Sequence, residues 1–98
     1  MKVTFVAGIE SVQVFEAKEG KKGAKLLHCV GQGQRPMLIT ARFPQNAFFP
    51  GVDAEKLFEK CKLLATRRAL AALTCEYGEW NGKPQYDVLN VEEVKPAP

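Results

Sequence analysis

From Lys2 to Phe15 the chain reads KVTFVAGIESVQVF, with β-branched or aromatic residues alternating with smaller or polar ones. A period of two is the pattern of a strand with one buried face. The apolar positions run Val3, Phe5, Ala7, Ile9 and then Val12, Val14, a slip of one residue that a β-bulge near Gly8 or Ser11 absorbs. Long, bulged, curved first strands belong to small barrels. The next stretch, EAKEGKKGAK over residues 16–25, holds no large apolar residue and is predicted to be a solvated, freely moving loop. Two apolar runs follow, KLLHCVGQG and RPMLITARF, split by Gly31, Gly33 and Gln34. They predict a hairpin with a short glycine-rich turn. Pro36 fits best at the start of its strand, where a missing N–H does least harm.

PQNAFFPGV is a connector bounded by prolines, and Phe48 and Phe49 within it do not both point inward with ease; the exposed one is expected to be a lid over the barrel bottom, with a subunit interface or a ligand platform as the alternatives. Asp53 is placed to cap a helix whose apolar residues Leu57, Phe58, Cys61, Leu64 and Ala65 share one face. TRRALAAL has the propensity to carry that helix on to Leu73, but TCEYGEW reads as strand, so the boundary is set near Arg68. Asn81-Gly82 between two β-rich runs is the preferred type I′ hairpin turn, because both residues must adopt positive φ. A two-residue turn there pairs Tyr77 with Tyr86 and Trp80 with Lys83, on opposite faces of the ribbon. KPAP, residues 95–98, is expected to fray.

The order is therefore strand, strand, strand, helix, strand, strand. On the third strand Met37, Ile39, Ala41 and Phe43 form the predicted core side, while Leu38, Thr40 and Arg42 face outward.

Composition narrows the class. With 98 residues the chain has room for one core, read as a single domain over 1–98. No window approaches the roughly 18 to 20 apolar residues of a membrane span, and the start lacks the pattern of a signal peptide. The expectation is a cytoplasmic protein with no membrane contact. Cys29, Cys61 and Cys75 show no CxxC spacing and are predicted to be buried, reduced thiols. His28 and Cys29 are adjacent on a strand and point to opposite faces, so they form no nucleophile–base pair. No carboxylate spacing suits acid–base work, and one histidine with dispersed cysteines suits no zinc site. The glycines of GQGQRP match neither a phosphate-cradling loop nor a dinucleotide fingerprint. The chain is read as non-catalytic, without cofactor or metal.

Lys and Arg number 14 against 11 Asp and Glu, a net charge of +3 that does not by itself imply a nucleic-acid partner. Where the charge sits matters more: Lys18, Lys21, Lys22 and Lys25 crowd one loop, with Arg35 and Arg42 on or beside the third strand.

Five strands with one helix between the third and fourth, a long curved first strand and a final hairpin resemble a mainly β, five-stranded OB-like barrel. In size and layout the chain, from Lys2 to Val94, is similar to the small OB-fold single-stranded DNA-binding proteins of bacteria, phages and mobile elements. The resemblance implies binding on the second and third strands, between the first loop and the last hairpin, here Glu16 to Lys25 and Gly78 to Pro84. It implies a protein that binds single-stranded DNA, or RNA, with little sequence preference during replication, recombination or transfer of DNA. Lys18, Lys21, Lys22, Lys25, Arg35 and Arg42 would attract phosphates, with Lys83 beside the hairpin turn. Trp80, and with it Tyr77 or Tyr86, would stack on bases. A homodimer would lengthen the binding path. The alternative is a protein-interaction module that docks a replication or other partner protein, for which the modest charge speaks.

Overall fold

β1 (Lys2–Phe15) is long enough to serve two neighbours, and this is what allows so short a chain to close a barrel. The computed structural model describes residues 1–20, 23–44, 49 and 51–95. β1 is followed by β2 (Ala24–Gly31), β3 (Met37–Arg42), α1 (Ala54–Thr66), β4 (Leu70–Trp80) and β5 (Lys83–Glu93). Residues 2–8 of β1 pair with β4 and residues 7–15 pair with β2, both antiparallel. The strands close in the order β1-β2-β3-β5-β4, an OB-like barrel with one helix between β3 and β4.

The slip in the apolar pattern is a bulge. Ile9 pairs with Cys29 and Ser11 with His28, so Glu10 is the extra residue. Ala7 and Ile9 face inward before it, and the half-buried Val12 packs against the core after it. Leu27, Cys29, Ile39, Ala41, Leu73, Cys75, Val88 and Val91 complete the interior. Each large aliphatic side chain among them contributes about 1.5–3 kcal/mol through burial.

α1 plugs one end. The Asp53 side chain accepts a hydrogen bond from the Lys56 N–H at 3.1 Å, as an N-cap should. Phe58, Cys61 and Leu64 form the buried face, and the Phe58 ring meets Phe43 edge to face at 5.5 Å. Lys25, Phe43 and Val91, which meet α1, mark this end on three strands; Val3, Phe5, Met37, Tyr77 and Tyr86 mark the opposite end. The helix stops at Thr66, two residues short of the expected boundary. Arg68 turns left-handed at φ 46°, the Ala69 N–H bonds back to the Leu64 carbonyl, and the next residues are recruited into β4, with Ala71 opposite Ala7 and Leu73 opposite Phe5. Pairing with β1 overrides the helix propensity of RALAAL.

At the last turn Asn81 has φ 53° and Gly82 φ 76°, and the register pairs Tyr77 with Tyr86 and Trp80 with Lys83. The strands run right up to this turn, so the connection is Asn81-Gly82 alone rather than a loop from Gly78 to Pro84. The barrel is sealed along its last seam by very little. Among the described residues β3 meets β5 in parallel at one Cα pair, Arg42 and Asp87, where the Arg42 Nε donates to Asp87 Oδ1 at 3.0 Å.

Three local expectations change. Lys25 is not in the first loop but in β2, its ammonium 4.8 Å from the centre of the Phe58 ring. Met37 begins its strand beyond the reach of the core and is 59% exposed. At Gly23 the first loop lies against the barrel rather than apart from it: a Cβ there would lie 2.7 Å from the Phe15 carbonyl oxygen at the end of β1. Of the expected lid, Phe49 is half-buried and Phe48 lies outside the described residues.

Candidate nucleic-acid interface

Strand alternation sets which side chains share a surface. On the outer face of β2 and β3, Leu26 and His28 lie beside Arg42 and Thr40 respectively, and Leu38 extends the row. Leu38 is 80% exposed. His28 Nε2 is 2.8 Å from Gln13 Oε1 and its Nδ1 is 3.3 Å from the Thr40 hydroxyl, so one imidazole ties β1, β2 and β3 together across this face.

The hairpin closes the face on one side. A cavity of about 260 Å³ lies between β3 and the start of β5, lined by Leu26, Thr40, Arg42, Lys83, Gln85 and Tyr86 among others. Two cations therefore meet at a groove on the outer surface, which Tyr86 borders. Arg42 projects outward as expected, but it is not an isolated cation. Asp87, whose side chain is 13% exposed, holds it, and Gln85 Nε2 reaches the other carboxylate oxygen at 3.5 Å. The pair positions the guanidinium at the groove while reducing its net charge.

Tyr77 and Tyr86 lie inward, in the rows that continue Cys75 on β4 and Val88 on β5. Their rings are 5.1 Å apart, and Tyr86 meets Phe5 at 5.9 Å. Burial first, and the neighbouring Tyr77 second, push the Tyr86 phenol above its ordinary range, so it stays protonated and able to donate. With Arg35 these tyrosines line a different opening, at the unplugged end of the barrel. Tyr86 borders both.

The predicted site residues thus divide. Arg42, Lys83 and Tyr86 come together at the groove, and Arg35, Tyr77 and Tyr86 at the barrel end. Lys18 is exposed on the first loop, while Lys25 is drawn to the helix. Lys21 and Lys22 lie outside the described residues, as does the side chain of Trp80, whose backbone pairs with Lys83. The residues that sequence reasoning missed are Thr40, Gln85 and Asp87 at the groove and Phe5 at the barrel end. The hairpin register was the available signal for Gln85 and Asp87, since both share the outward row of Lys83.

A second cavity of about 260 Å³, between β4 and β5, shares Gln85 with the groove and has the opposite character: Glu76, Glu79 and Asp87 line it, which disfavours phosphate.

The three cysteines are free and buried. Burial pushes the Cys29 thiol up to about 11, and pushes Cys61 and Cys75 up to about 12 with help from neighbouring thiols. Such thiols are protonated and unreactive near neutral pH. Among the described residues no group of three or more His, Cys, Asp or Glu could hold a metal, and no helix is long and apolar enough to cross a membrane. Comparison of the chain with protein-family models, with curated proteins and with solved structures finds no match in any of the three.

Proposed function

We propose that this protein binds single-stranded nucleic acid, DNA in the first instance, without catalysis and with little sequence preference. The observation that carries the reading is the groove between β3 and the hairpin, where Arg42 and Lys83 come together beside Tyr86, which borders both the groove and the barrel end, on the surface that OB-like barrels use for oligonucleotides. Cations follow the phosphates, and aromatic faces take unstacked bases at roughly 1–3 kcal/mol each. The acidic cavity between β4 and β5 favours a path over β2 and β3 instead. Lys18, Lys21 and Lys22 extend the basic track from the first loop, and a role in replication, recombination or transfer of DNA follows from affinity for single strands.

The test is Trp80 fluorescence during titration with an unstructured oligothymidine, repeated with duplex DNA and at two salt concentrations. Salt-sensitive quenching that prefers the single strand is the expected result, and replacing Lys18, Lys21 and Lys22 together should lower the slope of log affinity against log salt by about 2. An unchanged slope removes that loop from the track. Substituting oligouridine asks whether the 2′-hydroxyl matters.

A protein partner is the second reading, and a specific observation favours it: Leu38 stands 80% exposed on the outer face of β3, with Met37, 59% exposed, at the adjoining lip of the barrel end. Absence of both quenching and mobility shift with every oligonucleotide at moderate salt would transfer the function to that reading.

A further inference from the structure

The barrel is plugged at one end and hollow at the other. Where α1 seals one end with Phe58, the opposite end opens into a cavity of about 430 Å³ between β1, β3 and the hairpin. Its walls are Val3, Phe5, Ile39, Met37, Tyr77 and Tyr86; among the described residues Arg35 is the only charged side chain that lines it, and the ammonium of Met1, also at the wall, is paired with Glu76 at 2.7 Å. Among the described residues Arg35 makes no ion pair. Cavities of about 150 Å³ already hold a benzene ring, so there is room here for a flat heterocycle. An aromatic floor with one cation at the rim that is not held in an ion pair suits a ligand that is planar and apolar at one end and anionic at the other.

Tyr86 connects this cavity to the groove, because it lines both, and β3 supplies Met37 and Ile39 to the cavity and Thr40 and Arg42 to the groove. Met37 lies roughly 17 Å along β3 from Arg42, at about 3.3 Å per residue, so a strand lying over β3 with one phosphate at Arg42 and Lys83 reaches the lip formed by Met37 a few nucleotides further on. Resting on the single-strand reading above, the geometry points to the open barrel end as a pocket that takes one unstacked base of the bound strand, its phosphate held by Arg35. Sequence-tolerant affinity then comes from two sources: charge along the groove, and one base withdrawn into the barrel.

The experiment compares oligothymidine with an abasic deoxyribose-phosphate oligomer of the same length, the shortest that saturates the protein, by NMR and by affinity. Intermolecular contacts from the thymine methyl to Phe5 and to the Ile39 methyl are expected, since those two side chains belong to the barrel end and not to the groove. The abasic oligomer should bind through charge without perturbing them. Met37→Trp, placed at an exposed lip position that leaves the core untouched, should close the pocket. It should erase those contacts and weaken oligothymidine about 5- to 150-fold, the equivalent of roughly 1–3 kcal/mol of stacking, with the abasic oligomer unaffected. Saturable oligothymidine binding with thymine contacts confined to Leu26, Thr40 and Lys83 overturns the pocket and leaves the single-strand reading standing. No binding by a folded protein overturns that reading, and the pocket with it.

Discussion

The two ends of the barrel are made by the same five strands and differ in how each is finished. At one end Phe43, Phe58, Cys61 and Leu64 are buried, and the nearby charges are turned to use, the Lys25 ammonium lying over the Phe58 ring and the Lys60 ammonium donating to the Val91 carbonyl. At the other end the aromatic residues Phe5, Tyr77 and Tyr86 pack edge against edge yet leave a cavity of about 430 Å³. Stability is concentrated where the helix closes the core. The open end retains apolar surface that a well-packed domain would otherwise cover, and this is the difference between a part that holds the fold and a part available to a ligand.

Truncation separates the two ends most sharply. Phe58→Ala empties the plug and should cost about 3–5 kcal/mol in urea unfolding, whereas Phe5→Ala, at a wall already in contact with water, should cost about 1–2 kcal/mol. Equal losses would erase the distinction.

Alkali comes next. The thiols of Cys29, Cys61 and Cys75 are raised by burial from 9.0 to about 11 or 12, so the folded protein keeps protons that the unfolded chain loses near pH 9. Their contribution is fully present below pH 9 and is lost as pH rises toward 11 or 12, at about 1 kcal/mol per thiol between pH 9 and 10. Tyr86 is raised from 10.0, so Tyr86→Phe should leave the decline between pH 9 and 10 intact, while Cys61→Ala should remove one thiol's share. Stability that stays level over that interval would contradict the burial of these groups.

The seam is expected to be asymmetric. Arg42→Ala leaves the nearly buried Asp87 carboxylate without its cation and should cost about 1–3 kcal/mol. Asp87→Ala leaves a half-exposed guanidinium that water solvates and should cost less than about 1 kcal/mol through the ion pair itself. A double-mutant cycle by thermal unfolding measures the coupling, and a coupling of zero would mean that the seam does not depend on the pair. The smallest effect is at the hairpin tip. Asn81→Ala forces an ordinary residue to hold φ 53° and should cost about 1 kcal/mol, with Asn81→Gly close to neutral in the same assay.

Much of this fold was legible because its signals are local. The slip between Ile9 and Val12 marked the bulge, Asp53 marked the helix start, and Asn81-Gly82 set a register that placed Tyr77 opposite Tyr86. The candidate site was legible only in outline. Arg42 could be assigned to the outer face of β3, but its partner lies 45 positions away on a strand that reaches β3 only through barrel closure. Lys25 looked like one more loop lysine because the ring it covers belongs to a helix far along the chain.

By itself, the sequence determined what depends on neighbours within a few residues: strand alternation, the cap, the positive-φ turn and the outward or inward sense of each strand residue. Tertiary structure decided what depends on distant partners. It ended the helix at Thr66 by pairing Leu70 to Glu76 with β1, joined Arg42 to Asp87, and left one barrel end open while the helix filled the other. The physical reason is that burial and charge pairing are properties of positions in space, and side chains distant along this chain become neighbours only when the barrel closes.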